Sequence, residues 1–271
     1  MQIIGEKING TRKRVAQAIL DRDADFIQDL ARRQVEGGAN WLDANAGTSP
    51  DREVEDLIWL VETIQSAVDV PLCLDSPNPQ ALQAAIGRTH QTPMINSINA
   101  EPGRLEGVLP IVAEHGCPVI ALAMDGKQIP PTSEARLAVM QAIVSATRAS
   151  GVPDEKLYMD PLTMTIATNT QNGLVTLDTM RLFRHEFPQA HLVVGLSNIS
   201  FGLPARSHVN CAFATLALEA GLDSAILDPL DRELRATILA AQVVLGKDRN
   251  CLGYTRAYRA GVLTPAAQGV P

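Results

Sequence analysis

The stretch Pro93-Met94-Ile95-Asn96-Ser97-Ile98-Asn99-Ala100-Glu101 passes within two residues from strand-forming apolar side chains to amides and a hydroxyl. A carboxamide placed after a buried run brings two donors and an acceptor that all need partners. Asn96 is therefore either tied into a strand-to-loop turn or aimed at a ligand. The same event recurs along the chain. Apolar runs stop at Glu6, Asp43, Asp75, Asp125, Asp160, Asn198 and Asp228 as well. Such a mixed set of carboxylates and amides suits a flat heterocycle with alternating donors and acceptors on its edges. A carboxylate accepts two parallel N–H bonds from an amino-pyrimidinone, and an Asn donates and accepts on the adjacent edge.

Other chemistries fit less well. None of His90, His115, His185, His191 and His208 falls at the C-terminal end of a strand-like run, and no Lys stands there as a plain general acid. Cys73, Cys117, Cys211 and Cys251 are far apart, without the spacing of a zinc site, so no metal is expected. The segments Asn198-Ile199-Ser200-Phe201-Gly202 and Asp228-Pro229-Leu230 lack a glycine-rich phosphate nest.

These residues sit in a regular series. Strand-like runs at Ile3–Glu6, Trp41–Gly47, Val70–Ser76, Met94–Asn99, Pro118–Asp125, Lys156–Leu162, His191–Asn198 and Ser224–Asp228 alternate with helical segments. Val54, Leu57, Ile58, Val61 and Ile64, for example, form one apolar stripe. Thr132–Ser150, Thr176–Phe187, Val209–Ala220 and Asp231–Leu245 are predicted as later helices. About eight strand-then-helix units predict an α/β protein built as a single (β/α)8 TIM barrel, with its site at the C-terminal ends of the strands. A doubly wound open sheet is the alternative. The barrel is expected over residues 1–249, followed by a fraying tail over 250–271.

The 271 residues are 46% hydrophobic and 20% charged, enough to bury a full core. A net charge of −7 argues against a nucleic-acid surface, and the basic cluster Thr11-Arg12-Lys13-Arg14 reads as a solvated helix start. No segment has the length and apolarity of a membrane span or signal peptide, and the scattered cysteines suit a reducing compartment, so a cytoplasmic location is expected.

Taken in order, Ile3-Ile4-Gly5-Glu6-Lys7-Ile8-Asn9-Gly10, Leu42-Asp43-Ala44-Asn45-Ala46-Gly47, Leu72-Cys73-Leu74-Asp75-Ser76, the Asn96 stretch, Tyr158-Met159-Asp160-Pro161-Leu162 and Val193-Val194-Gly195-Leu196-Ser197-Asn198-Ile199-Ser200 resemble the methyltetrahydrofolate:corrinoid methyltransferases. These are pterin-binding enzymes with a dihydropteroate-synthase-like barrel, and the match runs from about Met1 to Leu245. The resemblance implies a homodimer that moves a methyl group between N5 of tetrahydrofolate and the cobalt of a corrinoid protein. It assigns Asp75, Asn96 and Asp160 to the pterin ring and Asn198 to N5 and the transferred methyl. Glu6, Asp43 and Ser197 support the site, Asp43 and Ser197 in a hydrogen-bond network with Asn198. Arg206 faces the folate glutamate tail or the corrinoid partner, or is an exposed helix start, and Asn99 is left open.

A tertiary amine leaves poorly, so transfer from N5 needs proton donation or strong hydrogen bonding there, while cobalt(I) is itself the nucleophile. No Asp-x-His-x-x-Gly motif occurs, so the resemblance implies that the corrinoid arrives on a partner. The rival readings are a dihydropteroate synthase, whose basic motif after the seventh strand is here Ser197-Asn198-Ile199-Ser200, and a non-catalytic folate-binding protein. The motifs are shared whether the methyl serves acetyl-CoA synthesis, O-demethylation or quaternary-amine demethylation.

Overall fold

The computed structural model describes residues 1–126 and 128–263. Eight parallel strands form the sheet: β1 (Gln2–Gly5), β2 (Trp41–Ala44), β3 (Leu72–Asp75), β4 (Met94–Ile98), β5 (Val119–Leu122), β6 (Leu157–Asp160), β7 (His191–Leu192) and β8 (Ser224–Leu227). Each lies beside its sequence neighbour, and β8 returns to β1. Between β7 and β8 the circle is closed by the Gly195–Ile226 bridge and by Ile226 N–H donating to Val194 O at 2.9 Å. This is the expected TIM barrel.

Outside it run α1 (Lys13–Asp21), α2 (Ala24–Glu36), α3 (Pro50–Gln65), α4 (Pro79–Ile86), α5 (Pro102–His115), α6 (Ser133–Ala149), α7 (Asn172–Glu186), α8 (Arg206–Glu219) and α9 (Arg232–Val244). Helices α7 and α8 begin earlier than their apolar periodicity suggests: the first turn of α8, Arg206-Ser207-His208, is polar, and that of α7 leaves its apolar Leu174 exposed. Beyond α9, where a fraying tail is expected, a 3-10 turn at Arg249–Cys251 leads into α10 (Leu252–Arg259). Arg232 Nη2 donates to Gly261 O at 2.6 Å just after it. Residues 264–271 of that tail lie outside the described residues. Among the described residues no helix is long and apolar enough to cross a membrane.

The period of two along a strand divides the core. Outward residues such as Leu42, Leu72, Leu74, Ile95, Val119, Leu157 and Ala225 join the helices in one large apolar layer. Ile4, Cys73, Met94, Ile120, Tyr158 and Val193 face inward and fill the barrel, with Ile226 packed on them. Below them, Gln2 Oε1 accepts from Trp41 Nε1 at 3.0 Å and Tyr158 OH at 3.2 Å, and Tyr158 stacks on His191 with ring centroids 4.5 Å apart. Two residues above each inward apolar side chain comes the top layer: Glu6 over Ile4, Asp43 over Trp41, Asp75 over Cys73, Asn96 over Met94, Leu122 over Ile120, Asp160 over Tyr158 and Asp228 over Ile226. Strand parity thus collects polar groups from distant parts of the sequence on one apolar plug.

Candidate functional site

The top layer floors a cavity of about 800 Å³, lined by Glu6, Asp43, Asp75, Asn96, Asp160, Ser197, Asn198 and Asp228 together with rim residues from the loops. Every predicted site residue lines this cavity. Asp125, expected among the strand ends, does not. Strand β5 ends at Leu122, whose side chain takes the inward position, and Asp125 is an odd number of residues from inward Ile120 on an exposed loop.

Asp43 is buried, and its Oδ1 accepts Asn96 Nδ2 at 3.4 Å. Burial first, and then the charge of Asp75, push its carboxyl well above the usual range, against the pull of the Asn96 amide and the Cys73 thiol. Asp75 is also raised by burial, while Asn45, whose Nδ2 donates to its Oδ2 at 2.8 Å, and the Arg104 charge pull it down. Asn45 reaches Asp75 because the loops after β1 and β2 pack tightly. Gly10 N–H donates to Asn45 O at 2.8 Å, and a Cβ on Gly10 would lie 1.8 Å from Ala46 O. Asp160 is buried, and burial raises it to about 7, against the Leu162 N–H, which donates to Oδ1 at 2.7 Å, and the charge of Arg136. Burial thus raises all three carboxyls, Asp160 to about 7, which favours a floor that offers donors as well as acceptors.

Glu6 joins floor to rim. Its Oε1 accepts Arg12 Nη2 at 3.0 Å and its Oε2 accepts Ser197 Oγ at 3.1 Å. Arg12, read as part of a solvated helix start, is therefore a rim residue of the cavity as well as the N-cap of α1. The expectation that no lysine stands at a strand end also needs correcting. Lys7, directly after Glu6, places Nζ 2.7 Å from Asp228 Oδ2. Asn99 shapes the loop, its Oδ1 accepting Glu101 N–H at 2.9 Å ahead of α5.

The seventh strand departs most from its predicted form. Its regular ladder with β6 covers only His191–Leu192, with the Gly195 bridge to β8 beyond it, and Ser197 and Asn198 sit on a 3-10 turn over Leu196–Ser200. The side chains of Ser and Asn compete for backbone partners and favour such turns over strand. Gly195 occupies the inward position above Val193, where a Cβ would lie 2.8 Å from Asn198 Nδ2. The amide of Asn198 thus fills the space that an inward side chain at 195 would take. Gly195→Ala is expected to fold normally, because the far end of Asn198 can give way, yet to lower turnover by up to about a hundredfold through misplacing that amide. In an Asn198→Ala background the same change is expected to have no further effect on kcat, and an equal loss in both backgrounds would rule out this steric link.

Two arginines that sequence reasoning missed hold the loops. Arg104 donates Nε to Ser97 O at 2.7 Å, Nη2 to Ser76 O at 2.7 Å and Nη1 to Pro77 O, clamping the ends of β3 and β4. Arg136 is 2% exposed and donates to Pro130 O at 2.9 Å, Pro161 O at 2.7 Å and Leu162 O at 2.9 Å. Among the described residues no group of three His, Cys, Asp or Glu side chains is arranged to hold a metal ion.

A TIM barrel with an acid-and-amide floor defines the class, and comparison with known proteins narrows it. A solved Yersinia pestis dihydropteroate synthase with a pterine-sulfa conjugate superposes with a TM-score of 0.68 at 21% identity, covering 91% of this chain and 93% of that one. A Coxiella burnetii dihydropteroate synthase in complex with pteroic acid gives 0.65 at 18% identity over 79% and 83%. A family model described as pterin binding enzyme matches residues 5–228, and the chain belongs to that family. It is 36% identical to a methylcorrinoid:tetrahydrofolate methyltransferase from Eubacterium limosum over 267 residues, 98% of each chain. Methionine synthase from Mycobacterium leprae is 33% identical over 238 residues, which are 83% of this chain and 20% of that protein.

Proposed function

We propose that this protein catalyses methyl transfer between N5 of tetrahydrofolate and the cobalt of a corrinoid carried by a separate protein. The observation that carries the reading is the acid-and-amide floor, found in a chain 36% identical along 98% of its length to an enzyme named for that transfer. In the direction of that name, the N5 lone pair takes the methyl as the cobalt–carbon bond breaks. The bonding pair stays on cobalt and the N5 proton is released. The reverse returns a proton to N5.

The chain's residues divide the work. Asp75, Asn96 and Asp160 hold the pterin edges, with Glu6 in support. Asn198 hydrogen-bonds N5 as its charge changes, and Ser197 and Asp43 complete the network. Burial and the neighbouring Asp75 raise the Asp43 carboxyl, which favours its holding a proton that the network can use. Methyl transfer then rests on positioning and hydrogen bonding by the protein. The corrinoid protein docks over the barrel mouth. A homodimer and a reducing, cytoplasmic setting complete the reading, the latter supported by four unpaired cysteines.

The discriminating experiment assays two reactions in parallel: folate-dependent demethylation of a methylcorrinoid, and condensation of a dihydropterin pyrophosphate with p-aminobenzoate. The first alone is expected. Condensation would make the protein a dihydropteroate synthase, and folate binding without either would make it a carrier.

The pH dependence of binding follows from Asp160. With a folded value of about 7 against roughly 3.9 in an unfolded chain, the folded protein holds an extra proton between about pH 4 and 7. The group's contribution to stability therefore falls as pH rises through that window and then levels. Pterin binding uses the carboxylate, so it moves the other way: folate affinity should rise roughly tenfold from pH 6 to 8. Calorimetric titration of Asp160→Asn is expected to give weaker, flatter binding. An undiminished slope in that variant would assign the titration to Asp75 instead.

A further inference from the structure

Among the described residues five that are not glycine have a left-handed backbone, and four of them belong to helix ends. Arg22 ends α1, Ala205 precedes α8, and Asn250 and Cys251 lie in the turn into α10. The fifth, Leu162 at φ 65°, comes just after β6 and lines the cavity. An L side chain is strained in that conformation and glycine is not, so the leucine is kept against a local cost.

The turn is held from both sides. Leu162 N–H donates to Asp160 Oδ1 at 2.7 Å, and its carbonyl accepts Nη1 of buried Arg136 at 2.9 Å. Strain of this kind persists where neighbours over-determine it, and it gathers at functional sites. Core packing does not offset it here. The half-buried Leu162 side chain belongs neither to the apolar layer beneath the helices nor to the barrel plug. The other apolar side chains of the cavity are placed differently: Leu122 and Ile226 rest on the plug, Leu234 is buried in the outer layer, and Phe201 is 68% exposed.

A leucine turned to a cavity beside a polar floor suits a ligand with polar edges and apolar faces. A pterin carries its N–H and C=O groups on its edges and leaves its two faces without them, so its site needs apolar cover as well as hydrogen bonds. Resting on the methyltransferase reading, we infer that Leu162 is a binding residue that covers one face of the pterin whose edge Asp160 holds. The left-handed turn is kept because it presents both side chains to one ring: Asp160 Oδ1 fixes the turn, and Oδ2 is left for the ligand.

The test measures thermal unfolding, and binding of tetrahydrofolate and 6-methyltetrahydropterin, in wild type, Leu162→Gly and Leu162→Ala. Both variants lose the side chain, and only Gly relieves the backbone. Leu162→Gly is expected to unfold at or above the wild-type temperature, and Leu162→Ala a few degrees below Leu162→Gly. Both should weaken the two ligands about tenfold, the size of losing a partly buried leucine contact. The pH dependence of binding should keep its shape, because the residue 162 N–H still reaches Asp160. Unchanged affinity with a destabilised Leu162→Gly would make the leucine a packing residue and overturn the inference. A flattened pH dependence would overturn it too, since the variants would then act through Asp160. So would weakening of tetrahydrofolate alone, which would place the contact beyond the pterin. A wild type that binds neither ligand would instead overturn the methyltransferase reading beneath it.

Discussion

Asn198→Ala is expected to lower kcat for methyl transfer by two to three orders of magnitude while folate affinity stays within about tenfold. The magnitude is that of removing one pre-placed hydrogen-bond donor from a developing charge, about 3–4 kcal/mol in the transition state. The split between kcat and binding follows from geometry. Asn198 lies on the turn above Gly195 and is exposed at the cavity, whereas the pterin-holding candidates Asp75, Asn96 and Asp160 project from the ordered ends of β3, β4 and β6. Losing Asn198 leaves that floor intact. Single-turnover rates at saturating folate separate the two effects. A variant that turns over as fast as wild type would remove Asn198 from the mechanism, and one that fails to bind folate would move it into the pterin site.

Arg136→Met is expected to destabilise the protein by about 3–5 kcal/mol, the usual result of stripping one partner from a buried charged network. The Met fills similar space, so the loss is electrical and hydrogen-bonded. Three carbonyls from Pro130, Pro161 and Leu162 lose their donor, and Asp160 loses its facing cation. The midpoint of thermal unfolding should fall by on the order of 10 °C. Folate binding should weaken as well, because Leu162 lines the cavity and Asp160 titrates higher without the arginine. Arg136→Lys should recover only part of the stability, since an ammonium cannot reach all three carbonyls in the planar fork they face. Unfolding and folate titrations of both variants check this. Wild-type stability in Arg136→Met would show that the network is not holding the loop after β6.

What the sequence disclosed, it disclosed through the period of two. Each inward apolar residue is followed two places later by a member of the floor, so Glu6, Asp43, Asp75, Asn96, Asp160 and Asp228 were legible as a set. The same rule, applied strictly, excludes Asp125 and puts Leu122 in its place. Asn198 was legible by type, and its turn was not, because the regular ladder of β7 stops at Leu192 and the space at Gly195 is a property of the assembled barrel. The arginines were hidden for a different reason. Their partners lie far off in the sequence: Arg104 reaches back to Ser76 and Pro77, and Arg136 reaches forward to Pro161 and Leu162. One signal did exist. Arg136 shares the buried face of α6 with Met140, Ile143, Val144 and Thr147, and a charge on the apolar stripe of an amphipathic helix announces a buried partner.

The account stands most directly on one measurement, the absorbance spectrum of cobalt when cob(I)alamin and 5-methyltetrahydrofolate are mixed anaerobically with the folded protein. The expected result is conversion to methylcobalamin, with tetrahydrofolate formed in equal amount, at a rate proportional to protein concentration and negligible without it. A cob(I)alamin spectrum that persists while the protein is folded and holds its folate would contradict the account.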